Sequence, residues 1–261
     1  MKISVIVPSN SLCRIETFVE EFDKLLLFKK MVTLIIVCNG ELKTKNVPKR
    51  KYIKCIQFNK KIKENDIVPF VELRGVGMKE RSADWFLFLD DDHTFDDNAD
   101  TTLIKSLKFI SHHNECGILQ LEKQNKEKDG FYIKENAHIW SSRGLFIRNI
   151  GFDYNKLSKL KGACEDLLFA YIVLYESYLP YNYYNSGIHR NSPLEKGKYG
   201  KRTKEFTDIS YQENTLDKNV IGYIRNLYFD YNWKFYGHLQ YLEYPNFLKE
   251  RIKSRLSHMI N

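Results

Sequence analysis

The chain has 261 residues and a formal net charge of +8 at pH 7, and 43% of its residues are hydrophobic. Its length and its 14% aromatic content are typical of a folded globular protein with a substantial core. No apolar run approaches the roughly 20 residues of a membrane-spanning helix, so none is predicted. The positive charge favours an anionic partner, such as a nucleotide, a nucleic acid, an anionic lipid or an anionic glycan.

The N-terminus and the cysteines predict a cytoplasmic protein. The apolar stretch before Pro8 is too short for the core of a signal peptide, and no small-residue cleavage site follows it. The five cysteines are odd in number and scattered, and no two of them form a CxxC pair. That pattern is typical of reduced thiols rather than of a disulfide framework.

Strand and helix patterns alternate through the first half of the chain. Runs of β-branched and other apolar residues predict strands, and apolar residues spaced three and four apart predict helices. The predicted strands are 3–7, 33–38, 52–58 and 85–89, and the predicted helices are 15–28 and 73–83. This βαβα order implies a mostly parallel sheet with right-handed crossovers.

Three consecutive aspartates, Asp90, Asp91 and Asp92, directly follow the apolar strand at 85–89. Adjacent like charges repel unless a cation or a polar ligand holds them, and ligands of open α/β sheets bind at the carboxyl ends of strands. Oxygen-rich ligand sets suit Mg²⁺ or Mn²⁺, which can in turn hold a diphosphate. A solvated acidic turn is the simpler alternative, but three carboxylates after a fully apolar strand favour the metal–diphosphate site.

The second half of the chain combines ordinary elements with two basic segments. The predictions are a helix at 98–110, strands at 117–121 and 144–148, an exposed excursion at 123–136, and a helix at 163–178 that ends before Pro180. The basic loop at 191–210 is either a solvated linker or a lid over a diphosphate. The basic amphipathic helix at 245–260 either packs on its own domain or lies on an anionic membrane.

Taken in order, five stretches resemble the family 2 glycosyltransferases, which have the GT-A fold, over roughly residues 1–190. Each stretch is weak alone, but their order and spacing together are fairly specific. The stretches are SVIVPSN from Ser4, LIIVCNG from Leu34, GMKERSADW from Gly77, the Asp-x-Asp-like run at 90–92 and GACEDL from Gly162.

The resemblance implies an α/β fold of the GT-A type, a mostly parallel Rossmann-like sheet flanked by helices, with a helical, aromatic-rich C-terminal extension. Residues 1–95 would form the nucleotide-sugar-binding half of the catalytic domain and residues 96–190 its acceptor-side half. Residues 191–261 would form the flexible basic loop and the extension. The implied activity is metal-dependent, inverting transfer of a sugar from a nucleotide-diphosphate sugar to a hydroxyl acceptor, such as a glycan or a lipid-linked glycan.

The resemblance also implies roles for four carboxylates. Asp92 would coordinate Mn²⁺ or Mg²⁺, and Asp90 would face the donor ribose or a metal-bound water. Asp166 would be the base that takes the proton of the acceptor hydroxyl, and Glu165 would support acceptor geometry. The helix macrodipole also favours acidic residues in a first helical turn, so a structural role for this second pair stays open.

The remaining candidates would contact the donor or the metal. His189 stands where related enzymes have a histidine near the metal or diphosphate, although a structural role is the more common one for a lone histidine. Asn39 replaces the aspartate that the family often has against the nucleobase, which leaves the nucleotide preference open. The expected donor-binding residues are Pro8, Ser9, Asn39, Arg81, Asp90, Asp91 and Arg190.

Other classes of protein fit the sequence less well. A nucleotidyltransferase typically has a glycine-rich basic loop after its first strand, and residues 8–14 contain no glycine. A nucleic-acid-binding module would show zinc-ligand spacing, a helix-turn-helix or an RNP-like strand, and we find none. Two alternatives stay open: a glycosyltransferase acting on hydroxylated bases of DNA, and a catalytically silent nucleotide- or nucleic-acid-binding protein on the same fold.

Overall fold

The structure is a computed structural model that describes residues 1–59, 70–122, 130–133, 144–152, 154, 169, 173 and 178–190. Within these residues the helices are α1 (Leu12–Asp23), α2 (Phe28–Met31), α3 (Phe70–Lys79) and α4 (Ala99–His112). The strands are β1 (Ile3–Ser9), β2 (Val32–Cys38), β3 (Ile53–Gln57), β4 (Trp85–Phe88), β5 (His93–Phe95), β6 (Cys116–Leu121), β7 (Gly130–Ile133), β8 (Leu145–Arg148), β9 (Leu179–Tyr184) and β10 (Ile188–Arg190).

Eight of the strands form one sheet in the order β3-β2-β1-β4-β8-β6-β9-β7. Six of them run in one direction, while β7 and β8 run in the other. The mostly parallel α/β sheet that the sequence predicts is therefore confirmed. Strands β1 and β4 are buried along their whole length, as expected for parallel strands covered on both faces.

Strands β1 and β2 end side by side, at Ser9 and Cys38, and β4 ends at Phe88, level with Ile6 of β1. We call this the carboxyl end of the sheet and the opposite end the amino end. Helix α3 packs against β1 and β2 at a glycine, because a Cβ added to Gly77 would lie 2.6 Å from Cγ2 of Ile6. This close approach brings the side chains of α3 to the middle of the sheet.

Helix α1 begins and ends earlier than the periodicity at 15–28 predicts. The side chain of Ser11 caps its N-terminus by accepting a hydrogen bond from the backbone N–H of Arg14, at 3.4 Å. Phe18 and Phe22 on its buried face contact Phe95 of β5, with ring centroids 6.0 and 6.1 Å apart. Strand β5 pairs antiparallel with β10 in a separate two-stranded sheet, which the sequence analysis does not predict.

Some predictions need correction and others fall outside the described residues. The exposed excursion expected at 123–136 is wrong at its centre, where β7 pairs with β9 because Phe131 and Ile133 pack against the core. Strand β9 is also unpredicted. The segments 191–210 and 245–260 lie outside the described residues, and so does the 163–178 helix apart from Phe169, Val173 and Tyr178. No helix in the described part of the chain is long and apolar enough to cross a membrane.

Candidate functional site

The three aspartates form a turn between β4 and β5 at the carboxyl end of the sheet. The turn is closed by two hydrogen bonds between its first and last residues. The backbone N–H of His93 donates to the carbonyl of Asp90 at 3.3 Å, and the backbone N–H of Asp90 donates to Nδ1 of His93 at 3.1 Å. His93 is 1% exposed, so these bonds fix the turn from inside the protein.

Asp90 is held by a buried arginine that the sequence analysis does not single out. Nη2 of Arg74, on α3, donates to Oδ1 of Asp90 at 2.8 Å, and the Arg74 side chain is 2% exposed. Nη1 of Arg74 also donates to the carbonyls of Ile6 and, at 2.6 Å, of Leu89. One guanidinium therefore ties the middle of β1 and the end of β4 to the first aspartate of the turn.

A sequence signal for Arg74 does exist. It lies beside Leu73 on the buried face of the helix that precedes the apolar strand, with Gly77 and Met78 three and four residues further on. An arginine on an apolar helix face needs an anionic or carbonyl partner when it is buried. The acidic run at the end of the next strand offers several such partners.

Asp91 points away from its two neighbours, toward β1. The hydroxyl of Ser9 donates to its Oδ2 at 2.6 Å, and Nη1 of Arg14 lies 3.8 Å from its Oδ1. Burial raises the pKa of Asp91 above its ordinary value, although Ser9 and Arg14 act in the opposite direction. The side chain is only 12% exposed, which is unusual for a solvated acidic turn.

Asp92 has one paired and one unpaired oxygen. Nε of Arg190, on β10, donates to its Oδ2 at 2.8 Å, and the Asp92 side chain is 9% exposed. Its Oδ1 is buried and accepts no hydrogen bond from any residue that the structure describes. A buried carboxylate oxygen without a donor is costly unless a cation or a ligand binds it.

Asp90, Asp92 and His93 together form a group that could hold a metal ion. Their ligand atoms all lie within 4.8 Å of one another. Two carboxylates suit Mn²⁺ or Mg²⁺. Because Nδ1 of His93 accepts a hydrogen bond, the neutral ring carries its proton on Nε2 and orders the turn in this state.

The predicted nucleotide-pocket residues lie beside this group. Pro8 and Ser9 end β1, and the backbone N–H of Asn39, just after β2, donates to the carbonyl of Ser9 at 2.9 Å. Asn39 is 5% exposed, and Gly40 follows it with a φ of +60°. The structure therefore brings Pro8, Ser9 and Asn39 together with the aspartates.

His189 lies apart from the carboxylate group, and its expected place among the metal ligands stays a prediction. Successive residues of a strand point to opposite faces, so His189 turns away from the side on which Arg190 meets Asp92. Its Nε2 is 3.0 Å from Oδ2 of Asp96, and both side chains are largely exposed.

Arg81 also lies away from the carboxylate group, and its expected role in donor binding stays a prediction. Its Nη1 donates to the hydroxyl of Thr33, the second residue of β2, at the amino end of the sheet. At a rise of about 3.3 Å per residue, that position is about 17 Å from the end of β2. Glu165 and Asp166, the expected catalytic pair, lie outside the described residues.

Comparison with known proteins gives a result for structure only. No protein-family model and no curated protein matches the sequence. The structure is similar to the mannosyltransferase PcManGT from Pyrobaculum calidifontis, solved with GDP-Man and Mn²⁺, at 9% identity over 98% of this chain and 74% of that one, with a TM-score of 0.56. The fold is of the GT-A type.

A second solved structure agrees. S. aureus TarS 1-349, in complex with UDP-GlcNAc, is 14% identical over 98% of this chain and 72% of that one, with a TM-score of 0.51. The GT-A fold that the sequence resemblance implies is therefore confirmed. In this GT-A fold the aspartate turn lies at the carboxyl end of the parallel strands, where α/β proteins bind their ligands.

Proposed function

We propose that this protein is a metal-dependent glycosyltransferase that moves a sugar from a nucleotide-diphosphate sugar to a hydroxyl acceptor with inversion. The observation that carries the proposal is the buried Oδ1 of Asp92, which has no donor among the described residues. It lies next to Asp90, at the carboxyl end of a GT-A sheet. A solvated acidic turn would not bury this carboxylate.

The residues present fit a divalent cation. Asp92 and Asp90 would hold Mn²⁺ or Mg²⁺ through carboxylate oxygens, which both ions prefer. When bound, the cation would neutralise negative charge on a departing diphosphate. The two similar structures are of a mannosyltransferase with GDP-Man and Mn²⁺ and of TarS with UDP-GlcNAc, which supports a nucleotide-sugar donor for this chain.

The donor half of the proposed site consists of residues 1–95 together with Arg190. Ser9 and Asn39 offer buried polar groups beside the aspartates for the nucleoside, and Pro8 adds an apolar wall. Arg190 lies 2.8 Å from Asp92 and is 30% exposed, so its guanidinium can also meet phosphate oxygens.

The acceptor half is proposed from the sequence resemblance alone. Asp166 would take the proton of the acceptor hydroxyl, and Glu165 would support acceptor geometry. The acceptor would be a glycan or a lipid-linked glycan bound by residues 96–190. The basic helix at 245–260 would bring a cytoplasmic protein to the inner face of the membrane.

The decisive experiment is thermal stabilisation of the purified chain by UDP, GDP, CDP and TDP, each with and without Mn²⁺. A ligand at about 100 times its dissociation constant adds roughly 2.7 kcal/mol to the free energy of unfolding. We expect stabilisation by one nucleotide that requires Mn²⁺ and disappears in Asp92→Asn. The matched control is Asp97→Asn, which changes an exposed carboxylate five residues further along the chain.

The same variants separate binding from turnover. Asp166→Asn should keep the Mn²⁺-dependent stabilisation and abolish sugar transfer, because only the proton acceptor is lost. Unchanged stabilisation in Asp92→Asn would refute the metal site. Nucleotide binding without any turnover in the wild-type protein would indicate the catalytically silent alternative.

A further inference from the structure

Three large apolar side chains of the segment between α1 and β2 face solvent. Leu26, Leu27 and Met31 are 62%, 57% and 54% exposed. Leu27 and Met31 lie at the start and the end of α2, four residues apart, and therefore on the same face of that helix. Single exposed leucines are common on protein surfaces, but three such side chains so close in sequence form a contiguous patch. We call these three residues the apolar patch.

Contacts of the neighbouring residues hold the apolar patch in its outward position. Leu25 and Phe28 are buried, and the ring centroid of Phe28 lies 6.1 Å from that of Phe22. The backbone N–H groups of Leu27 and Phe28 donate to the carboxylate of Asp100, on α4, at 3.0 and 2.8 Å. Because these contacts anchor the segment, the apolar patch stays exposed unless a further surface covers it.

Basic residues surround the apolar patch. Lys30 lies within the same segment and makes no ion pair with any residue that the structure describes. Nε of Arg50 lies 2.9 Å from Oδ2 of Asp23, the last residue of α1, which brings a second basic segment, 49–51, close to the first. Basic residues outnumber acidic ones here: Lys24, Lys29, Lys30, Lys49, Arg50 and Lys51 against Glu20, Glu21, Asp23 and Asp100.

We propose that the apolar patch and the basic residues around it dock on an anionic lipid bilayer. The apolar side chains would enter the boundary between headgroups and acyl chains, while the lysines and Arg50 attract acidic headgroups. The long stems of the lysines can lie on apolar surface while their ammonium groups stay among the headgroups. This contact goes beyond the proposed sugar transfer and does not depend on it.

Charge argues against two other occupants of the apolar patch. A second copy of the chain, related by a two-fold axis, would bring the same lysines of both copies together, and like charges repel. The segment 245–260 carries Lys249, Arg251, Lys253 and Arg255, so it too would meet charges of its own sign. An anionic lipid surface is the occupant whose charge complements that of the patch.

The position of the apolar patch leaves the proposed donor site open. Met31 directly precedes β2, so the patch lies at the amino end of the sheet. The length of β2, at about 3.3 Å per residue, places Met31 about 20 Å from the carboxyl end, where the aspartate turn lies. A membrane against the amino end would therefore not cover the aspartates.

The test is flotation of the full chain with vesicles of phosphatidylcholine, either alone or with about one-third phosphatidylglycerol. We expect stronger binding to the vesicles that contain phosphatidylglycerol, and a loss of this preference at high salt. Leu26→Gln combined with Leu27→Gln should weaken the binding by about tenfold or more, because two apolar side chains are lost. Lys30→Gln should weaken it by about fivefold.

A matched control exists at the other end of the sheet. Leu12 begins α1 and is 39% exposed, and it lies three residues after Ser9, the last residue of β1. Leu12→Gln should leave vesicle binding unchanged, because it removes an exposed leucine that is not part of the apolar patch.

A further variant reports insertion at this position directly. Leu27→Trp places an indole in the apolar patch, and lipids with brominated acyl chains quench the fluorescence of a tryptophan that enters the bilayer. We expect stronger quenching than in the wild-type chain, whose three tryptophans supply the background. This measurement locates the contact however strongly other segments, such as 245–260, bind the vesicles.

Three outcomes would overturn the proposal. Equal vesicle binding by the wild-type chain and the Leu26→Gln, Leu27→Gln variant would assign the membrane contact to another segment. A wild-type dimer in sedimentation velocity that dissociates in the same variant would assign the apolar patch to a contact between proteins. Absence of wild-type binding to either kind of vesicle would leave the patch without its lipid partner. None of these results bears on Mn²⁺-dependent stabilisation by a nucleotide, so the proposed function is tested separately.

Discussion

Two arginines at opposite ends of the sheet have similar surroundings and differ in one partner. Arg148, at the amino end, stacks on Trp85 and Tyr178, with its guanidinium carbon 4.9 Å from each ring centroid. Its Nε donates to the carbonyl of Cys116 at 2.8 Å. Arg148 thus packs against two rings and supplies a hydrogen-bond donor to a backbone carbonyl. These contacts tie β8 to the starts of β4 and β6.

Arg74, at the carboxyl end, makes the same kinds of contact and one more. It stacks on Phe88 at 4.9 Å and donates to backbone carbonyls, but it also holds the carboxylate of Asp90. A buried arginine by itself therefore does not mark a functional site. What distinguishes the carboxyl end is the combination of this arginine with several carboxylates, one of which has a buried oxygen without a donor among the described residues.

The two ends of the sheet should differ most in the free energy of unfolding that is lost when each arginine is replaced by methionine. Arg74→Met leaves Asp90 without its buried counter-charge and two carbonyls without a donor, which should lower the free energy of unfolding by about 3–5 kcal/mol. Arg148→Met loses two hydrogen bonds, to the carbonyls of Cys116 and His113, and two ring contacts, for about 1–2 kcal/mol. Urea unfolding of both variants measures the difference.

A conservative variant shows whether charge or shape carries the effect. Arg74→Lys keeps the positive charge but loses the fork that reaches Asp90 and the carbonyls together, so it should recover only part of the loss. Equal losses in Arg74→Met and Arg148→Met would mean that the carboxylate adds nothing, and the distinction between the two ends would fail.

A smaller effect is expected from two glycines that allow close packing on either half of the sheet. A Cβ at Gly77 would lie 2.6 Å from Ile6, and a Cβ at Gly117 would lie 2.5 Å from Val173. Each glycine-to-alanine change should lower the free energy of unfolding by about 1–3 kcal/mol through overpacking.

Only one of the two changes should reach the site. Gly77→Ala moves α3, and with it Arg74, so Mn²⁺-dependent nucleotide binding should weaken by about tenfold. Gly117→Ala is matched in size and should leave that binding unchanged. Calorimetric titration of both variants makes the comparison, and equal weakening in the two would mean that α3 does not position the aspartates.

Features of the fold that depend on local sequence patterns could be predicted, and those that depend on contacts distant in sequence could not. Strands β1, β2 and β4 were predictable because parallel strands buried on both faces are continuous apolar runs. The aspartates were predictable because they end one of those runs. Strand β7 was missed because charged residues on both sides conceal its short apolar pattern.

The partners of the aspartates were much harder to predict. The pair of Asp92 with Arg190 joins residues 98 positions apart, and that of Asp91 with Ser9 joins residues 82 apart. Local periodicity does not predict such contacts, since they depend on the order and register of the strands in the sheet. The position of Arg81 at the amino end of the sheet could not be predicted for the same reason, because local sequence does not fix which end of the sheet a side chain occupies.

The smallest predicted effect concerns how stability changes with pH in variants of two carboxylates, Asp91 and Glu115, for which we expect opposite trends. Burial raises the pKa of Asp91 above its ordinary value of 3.8, and the folded state therefore binds this proton more tightly than the unfolded chain does. Ionised Asp91 thus lowers stability at pH values above its folded pKa. Relative to wild type, Asp91→Asn should become more stable as the pH rises from 3.8 through that pKa.

Glu115, at the amino end, should behave in the opposite way. Burial alone would raise the pKa of Glu115. Hydrogen bonds from its own backbone N–H and with His113 and Tyr181 outweigh that effect, so the pKa lies below its ordinary value of 4.5. The stabilisation is present above 4.5 and is lost as the pH falls through the folded pKa. Glu115→Gln should therefore be most destabilised near neutral pH and least in acid.

Urea unfolding of both variants at several pH values decides between two pictures of the carboxyl end. Opposite trends would mean that the fold holds Asp91 in a desolvated site, where an ionised carboxylate is unfavourable without a ligand. If Asp91→Asn follows the same trend as Glu115→Gln, the surroundings of Asp91 stabilise its ionised form, as in an ordinary solvated turn. The proposed metal–diphosphate site would then rest on the buried Oδ1 of Asp92 alone, because Asp91 would carry no electrostatic cost in the absence of a ligand.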